Sequence, residues 1–268
     1  MIYLSSLRRR PGRARDLTRF PWSLPVIGAL ESLELNAAVT FLVGENGSGK
    51  STLLEGMAAG ADAVSVGRHD LRRDPTLAAA REFAAGFVFV RRRHAHTRLF
   101  LRAEDVFGFT NRVMDDMAAL AADEAALEAE LPVGYGRMLA TGAVRGQRRA
   151  LAASYGENPD ARSHGETFLA LLGRRLAPEG LYFLDEPETP LSPVRVLALM
   201  AMLSDAVARD CQFVIATHSP ILLALPQAEI VEIADGALRR TVWENLEHVR
   251  VTRAFLNDPD GVLRKLRA

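Results

Sequence analysis

The fold of this 268-residue chain is decided by one stretch, Gly44-Glu45-Asn46-Gly47-Ser48-Gly49-Lys50-Ser51. It matches the pattern G-x-x-x-x-G-K-[ST] at every required position. The glycines let the backbone curl so that successive N–H groups point at bound phosphates, and Lys50 adds a compact positive charge on a thin stem. Lys50 is one of only two lysines in a chain with 31 arginines. A lysine at this position in an arginine-rich chain indicates a narrow site that accommodates an ammonium group but not a planar guanidinium.

The residues on either side of this stretch have the pattern that a phosphate-binding loop needs. Residues 38–43 are apolar and predict a buried strand, and residues 51–58 predict the start of a helix. The helix N-terminus adds partial positive charge beside the phosphates. We therefore predict that residues 44–51 and Thr52 bind phosphate, and that the hydroxyl of Ser51 is a ligand of Mg²⁺.

The composition is that of an ordinary globular protein, with 49% hydrophobic and 25% charged residues. The 33 basic and 33 acidic side chains cancel, so the net charge does not support a nucleic-acid partner, although a local patch remains possible. The single cysteine, Cys211, excludes an intrachain disulfide. Because we find neither a secretory signal nor an apolar run of about 18 residues, we expect a cytoplasmic protein without a membrane segment.

Apolar periodicity predicts the remaining elements. We expect strands at 1–7 and 28–35, a hairpin of strands at 87–90 and 99–101, and a helical insert at 105–131. Residues 132–165 predict a loop-rich segment, and residues 165–176 predict a helix. Strands at 181–184 and 212–216, joined by a helix at 193–208, form a βαβ unit and imply a parallel sheet. A hairpin at 229–242 and a helical C-terminus complete an α/β chain.

Polar residues follow the last two parallel strands. Asp185 and Glu186 come directly after 181–184, and His218 follows 212–216. The carboxyl ends of parallel strands meet at one edge of the sheet, where the phosphate loop also emerges. We therefore expect Asp185 to hold Mg²⁺ together with Ser51, Glu186 to orient or deprotonate a water, and His218 to sense a phosphate.

With these motifs the chain resembles the ABC-type ATPases, specifically the free-standing cytoplasmic group often called AAA-family ATPases. Residues 44–51 match Walker A, 181–186 match Walker B with the catalytic Glu186, and His218 matches the switch histidine. Residues 162–167 look like a variant of the signature loop L-S-G-G-Q, in which Ser163 and Gly165 match. The resemblance covers most of the chain. It implies a P-loop NTPase fold with a mixed sheet in one domain, 1–268, and a helical subdomain at about 105–176.

The resemblance also implies a mechanism. ATP and Mg²⁺ would be the cofactors, with Lys50 on the phosphates, Glu186 as general base and His218 stabilising the transferred phosphoryl group. Two protomers would face head to tail, so that Ser163 and Gly165 of one protomer cap the ATP held by the other. The family's glutamine loop has no clear counterpart, and Glu104 is predicted to take its place as a metal ligand.

Three alternatives remain open at this stage. The first is a regulatory switch in which ATP-driven dimerisation controls contact with DNA or with a protein partner that is unknown. The second is the nucleotide-binding subunit of a transporter. The third is a P-loop kinase, which is disfavoured because Asp185, Glu186 and His218 suit attack by water better than attack by an acceptor hydroxyl. Phe20 and Trp22 are the candidates for stacking on adenine.

Overall fold

The computed structural model describes residues 1–13, 15–65, 78–155 and 164–266. The chain divides into two compact units, one made of Met1–Ala103 with Leu176–Ala268 and the other of Glu104–Arg175. The first unit opens with β1 (Leu4–Arg9), α1 (Pro25–Ala29), β2 (Ser32–Glu34), β3 (Val39–Gly44), α2 (Lys50–Gly60), β4 (Val64–Ser65), α3 (Ala78–Gly86), β5 (Phe87–Arg91) and β6 (Thr97–Arg102).

The helices α4 (Ala103–Glu130), α5 (Tyr135–Tyr155) and α6 (His164–Arg175) form the second unit, apart from the first residue of α4. The chain then returns to the first unit with β7 (Gly180–Asp185), α7 (Pro193–Ala208), β8 (Gln212–Ala216), β9 (Glu229–Ala234), β10 (Ala237–Thr241), α8 (Glu247–Asn257) and α9 (Pro259–Leu266).

The first unit is built on a seven-stranded sheet with the order β10-β9-β3-β8-β7-β6-β4. All neighbours pair in parallel except β10, which runs antiparallel to β9. This mixed sheet with flanking helices confirms the predicted α/β fold. The predicted βαβ unit is also confirmed, since β7 and β8 are parallel neighbours joined by α7.

The three central strands that lead to the predicted site are buried. Every residue of β7 and β8 is buried, and in β3 only the last residue, Gly44, is partly exposed. Strands covered on both faces have continuous apolar sequences, which explains why the sequence pattern located them well. On one face α2 packs through Leu53, Leu54 and Met57, all of them fully buried. These contacts fix the helix that starts at Lys50 against the sheet.

A second sheet has the order β2-β1-β5 and is antiparallel. The side chain of Gln212, at the start of β8, joins the two sheets. Its Oε1 accepts hydrogen bonds from the backbone N–H groups of Tyr3 (2.7 Å) and Leu4 (2.9 Å), and its Nε2 donates to the carbonyl of Leu4 (2.8 Å). Gln212 is fully buried, so this link satisfies backbone groups that have no access to water.

Two sequence-based predictions in the first unit were wrong. The strands at 87–90 and 99–101 do not form a hairpin, because β5 pairs with β1 in the second sheet and β6 pairs with β7 in the first. The predicted strand at 28–35 is a short helix, α1, followed by β2. Pro25 at the first helical position favours the helix start, since its fixed φ suits that position.

The second unit contains a helix that the sequence pattern missed. Residues 132–165 were expected to be loop-rich, but α5 extends over 21 of them. Glycines weaken the helical pattern in this segment. In the structure, arginines of α5 form ion pairs with a glutamate of α4. Arg145 Nε lies 2.6 Å from a carboxylate oxygen of Glu124, and Arg148 lies 3.3 Å from the other. The predicted helices at 105–131 and 165–176 are confirmed as α4 and α6.

Among the described residues, no helix is long and apolar enough to cross a membrane.

Candidate active site

The loop between β3 and α2 depends on its glycines. Gly47 and Gly49 have φ values of +80° and +101°, in the left-handed region that other residues rarely adopt. At Gly44, a Cβ atom would lie 2.7 Å from the carbonyl oxygen of Ile233 and 2.8 Å from Oγ of Ser48. A side chain at Gly44 would therefore collide with β9 and with the loop itself. The glycines of the sequence motif thus lie where the loop has a left-handed backbone or is tightly packed.

Lys50 is the first residue of α2 and is 4% exposed. Its Nζ donates hydrogen bonds to the carbonyl oxygens of Gly44 (2.7 Å) and Glu45 (2.8 Å), so the loop curls around the ammonium group. Burial lowers the pKa of Lys50, while the carboxylates of Glu186, Asp185 and Glu188 oppose the shift. The charge of Lys50 is thus held at the centre of an acidic cluster rather than in solvent.

Ser51, the residue after Lys50, forms a hydrogen bond with Asp185. Oγ of Ser51 donates to Oδ1 of Asp185 over 3.1 Å. The other oxygen of Asp185, Oδ2, lies 3.5 Å from Nε of Arg102, which also contacts the carboxylate of Glu55. Asp185 is 7% exposed. Arg102 therefore orients the buried carboxylate from the side opposite Ser51, a role for which the sequence offered only its position at the end of a strand.

Sheet register explains why these distant residues converge. In the parallel ladder, Ala216 at the end of β8 pairs with Leu42 of β3 on one side and with Asp185 of β7 on the other. Arg102, at the end of β6, pairs with Asp185 in turn. The carboxyl ends of four neighbouring strands thus lie in one row, and the residues after them share one edge.

Glu186 has a backbone conformation that is rare for its residue type. Its φ is +46°, and its backbone N–H donates to the carbonyl of Ala216 over 2.9 Å. A left-handed conformation at a residue other than glycine costs on the order of 1 kcal/mol and is concentrated at functional sites. This conformation turns the chain sharply after Asp185, so the two adjacent acids take different directions. Glu186 remains 42% exposed, within reach of water.

His218 lies opposite Glu186. Nε2 of His218 is 3.6 Å from Oε1 of Glu186 and is buried without a hydrogen-bond partner among the described residues. Burial lowers the pKa of His218, the charge of Lys50 lowers it further, and Glu186 opposes both. The imidazole is therefore favoured in its neutral form, with a nitrogen free to bond to a ligand.

Glu188 is a residue of the site to which the sequence analysis assigned no role. It follows the acid pair and is partly buried, and its Oε1 accepts hydrogen bonds from the loop that carries His218. Burial raises the pKa of Glu188, and the hydrogen bonds that it accepts oppose this effect. The available signals were a third acid in Asp185-Glu186-Pro187-Glu188 and the hydroxyl of Thr217 just before His218.

Three predicted site residues, Ser163, Gly165 and Glu104, belong to another part of the chain. Ser163 lies outside the described residues. Gly165, in α6, is buried, and Glu104, at the second position of α4, is exposed. Both belong to the second unit, so their predicted roles as an ATP-capping residue and a metal ligand remain predictions. Thr52 lies in the first turn of α2 and is partly buried.

The two aromatic candidates for stacking on adenine differ in exposure. Trp22 is 4% exposed, and its ring stacks on Phe83 and Phe87 inside the core. Phe20 is 51% exposed. Only Phe20 thus has a face open to a ligand.

The donor atoms present fit the groups that the motif implies. Ser51 and Asp185 provide a hydroxyl and a carboxylate oxygen close together, which are the hard ligands that Mg²⁺ prefers alongside water and phosphate. Oγ of Ser48 and Nε2 of His218 are buried without partners in the described part of the chain. Buried polar atoms are rarely left unpaired, and a bound ligand is one way in which they gain partners. Within the described ranges, no group of three or more His, Cys, Asp or Glu residues forms a metal site by itself.

Comparison with protein families finds a match to part of the chain. The family model described as "AAA domain, putative AbiEii toxin, Type IV TA system" matches residues 167–224. This segment includes β7, α7 and β8, and therefore Asp185, Glu186 and His218. No curated protein matches the chain.

Two solved structures illustrate the structural comparison. An SMC head domain with an extended coiled coil, bound to the C-terminal domain of ScpA and derived from Pyrococcus furiosus, aligns with 12% identity and a TM-score of 0.48 over 100% of both chains. The cbiO1 protein of Clostridium perfringens, part of the cbiONQ ABC transporter complex, aligns with 17% identity and a TM-score of 0.47 over 99% of this chain and 100% of that one.

Proposed function

We propose that this chain, a P-loop ATPase of the ABC type, binds ATP with Mg²⁺ and hydrolyses it at the edge of the sheet where β3, β7 and β8 end. One observation carries the proposal: the Ser51 hydroxyl bonds to Asp185 beside the buried Lys50, while Glu186 and His218 face each other over 3.6 Å. A metal ligand pair, a phosphate-binding cation and a base beside an imidazole together suit attack of water on a terminal phosphate.

Binding would begin with an exchange of partners at Lys50. Its Nζ now bonds to two loop carbonyls, and phosphate oxygens would replace or share these acceptors. Ser51 and Asp185 would hold Mg²⁺, which when bound neutralises charge on the phosphates. Because Arg102 already fixes the Asp185 carboxylate, this ligand needs little reorganisation when the metal arrives.

Chemistry would then depend on the pair of Glu186 and His218. Glu186 is exposed enough to contact a water and would accept its proton as the water attacks the terminal phosphorus. Nε2 of His218 has no competing hydrogen bond and would donate to an oxygen of the transferred group. The lowered pKa of His218 favours the neutral ring, which donates without adding a second full charge beside Lys50.

We further propose that ATP joins two copies of the chain head to tail, with Ser163 and Gly165 of one copy capping the ATP bound by the other. The support is the resemblance of residues 162–167 to the ABC signature loop, together with the position of Gly165 in the first turn of α6. A helix N-terminus attracts phosphate through its free N–H groups. Hydrolysis would remove the shared phosphate and release the pair.

The direct experiment is phosphate release from ATP by the purified chain with Mg²⁺ and no other substrate. We expect steady turnover that stops when EDTA is added. ADP formation that requires a small hydroxyl acceptor, with the phosphoryl group recovered on that acceptor instead of as free phosphate, would indicate a kinase. If neither is seen while nucleotide still binds, the proposed hydrolysis is wrong and the chain is a nucleotide-binding switch.

What hydrolysis drives is a separate question with separate outcomes. Contact with DNA, an unknown protein partner and a role as a transporter subunit can be distinguished by experiment. Strong stimulation by DNA that falls steeply with salt would favour nucleic acid. Recovery of a membrane subunit with the ATP-bound chain would favour transport.

A further inference from the structure

Glu188 binds the His218 loop through a single oxygen. Oε1 of Glu188 accepts hydrogen bonds from Oγ1 of Thr217 at 2.6 Å, from the backbone N–H of His218 at 2.8 Å and from the backbone N–H of Ser219 at 3.0 Å. Three donors on one carboxylate oxygen is a dense arrangement, and each bond is charge-assisted when the carboxylate is ionised. The residue therefore fixes the backbone on both sides of the His218 ring.

The surroundings of Glu188 show that the arrangement is costly to build. Glu188 is partly buried, and Thr217 is fully buried. The second carboxylate oxygen, Oε2, is buried without a partner among the described residues. Burying a carboxylate with one oxygen unpaired is unfavourable unless the contacts of the other oxygen compensate. If the side chain at position 188 only filled space, an apolar residue would do so without the desolvation cost of a carboxylate.

The position of Glu188 gives these contacts a mechanical consequence. It lies two residues after Glu186, in the same turn, whose backbone already bonds to Ala216 at the end of β8. The turn after β7 is thus joined to the last residue of β8 through backbone and to the loop after β8 through the Glu188 side chain. The 3.6 Å separation of Glu186 and His218 lies between these two links.

We propose that Glu188 is a positioning residue for the hydrolysis, acting through His218 by holding its loop at a fixed distance from Glu186. The inference rests on the proposed function, because it assigns Glu188 a part in the same reaction. Loss of the carboxylate would leave Thr217, His218 and Ser219 without their shared acceptor. A small displacement of a catalytic group is enough to lower a rate by about 10- to 100-fold.

The first test is a double-mutant cycle of ATP turnover. Glu188→Ala is expected to lower kcat by about 10- to 100-fold with little change in the Kd for ATP. Glu188→Gln, which keeps an oxygen acceptor, is expected to lose much less. In a His218→Ala background, Glu188→Ala should cost little more, because the two residues act in one unit. Equal losses in both backgrounds would overturn the proposal.

A matched control comes from Glu82, another glutamate whose carboxylate accepts a hydrogen bond, here from Nε1 of Trp22 at 2.7 Å. Glu82→Ala removes a partly buried carboxylate contact away from the site. We expect Glu82→Ala to change thermal stability without changing kcat. If Glu188→Ala and Glu82→Ala reduce kcat alike, Glu188 has only a structural role and the proposal fails.

A second test does not depend on turnover. Amide hydrogen exchange followed by NMR in the nucleotide-free chain should show that Glu188→Ala accelerates exchange at His218, while Thr217, whose N–H donates to Leu42 O at 3.2 Å, stays protected. This result would support the role of Glu188 in holding the His218 loop even if the wild-type chain does not hydrolyse ATP, which would overturn the proposed function alone. Unchanged exchange at His218 would show that Glu188 does not hold this loop and would overturn the inference itself.

Discussion

Oε1 of Glu186 lies 3.6 Å from Nε2 of His218, and Nε2 has no hydrogen-bond partner in the described part of the chain. The side chains of Glu186 and His218 are 42% and 36% exposed, but Nε2 of His218 itself is buried. In the proposed reaction, Glu186 contacts the attacking water and Nε2 of His218 donates to an oxygen of the transferred group.

Replacing Glu186 by Gln keeps the size of the side chain and removes its basicity. We expect turnover to fall by about 10²- to 10⁴-fold, the usual contribution of a general base, while ATP still binds. The variant should also accumulate as an ATP-bound dimer, measured by light scattering with size-exclusion chromatography. Wild-type turnover by Glu186→Gln would show that another group is the base.

Lys50→Met removes the cation at the centre of the loop. A hydrogen bond to a charged group contributes about 1.5–3 kcal/mol, so we expect the Kd for ATP to rise by about 10- to 100-fold in a titration with a fluorescent analogue. The chain offers a matched control, because its only other lysine, Lys265, is exposed in α9. Lys265→Met should bind like the wild type, and equal losses in both variants would contradict a specific role for Lys50.

The Ser51 and Asp185 pair should set the requirement for metal. We expect Asp185→Asn to raise the Mg²⁺ concentration for half-maximal turnover by about tenfold or more, and Ser51→Ala to raise it less, since a carboxylate is the stronger ligand. A Mg²⁺ titration at constant ATP measures both. Asp205, exposed on α7, provides the control Asp205→Asn. An unchanged requirement in Asp185→Asn would remove this residue from the metal site.

Stability should fall in mild acid through His248. Burial lowers the pKa of His248 below 6.5, with the neighbouring His218 adding to the effect and Glu232 opposing it. The folded state therefore binds fewer protons than the unfolded one, so stability is present above about pH 6.5 and is lost as the pH falls towards the folded-state pKa. Thermal unfolding of His248→Gln and wild type from pH 8 to pH 5 should show a smaller acid loss in the variant.

The exposed His94 supplies a comparison for this measurement. His94→Gln should follow the wild-type curve. A constant difference in Tm between wild type and His248→Gln at every pH would show that His248 affects packing rather than proton binding.

Gln212→Leu should destabilise the first unit without altering the site chemistry directly. It removes the partner of the N–H groups of Tyr3 and Leu4 and of the carbonyl of Leu4. Leaving buried backbone groups unpaired costs about 1–3 kcal/mol, measured as a lower urea midpoint. The same change at the exposed Gln147 is the control. Equal midpoints for wild type and Gln212→Leu would show that the sheets are joined by other contacts.

Much of the fold could be predicted because its central strands are buried on both faces. Continuous apolar runs located β3, β7 and β8. The residues predicted to carry the chemistry, Lys50, Asp185 and His218, lie at the carboxyl ends of these strands or a few residues beyond them. The pattern failed where pairing is decided at a distance. The sequence of residues 87–90 does not distinguish a strand that pairs with β1 from one that pairs with β6. Glycines weaken the helical pattern of α5, and the glutamate that forms ion pairs with its arginines lies in another helix.

The sequence alone determined the phosphate loop, because its glycines and Lys50 lie in one contiguous stretch of the chain. Tertiary structure alone decided which side chains hold that chemistry in place. Arg102 and Glu188 carry no motif, and their roles exist only because parallel strands bring β6, β7 and β8 into register at one edge. Local backbone geometry depends on residues that are neighbours in sequence. A contact between side chains on different strands depends on how all the strands of the sheet pair.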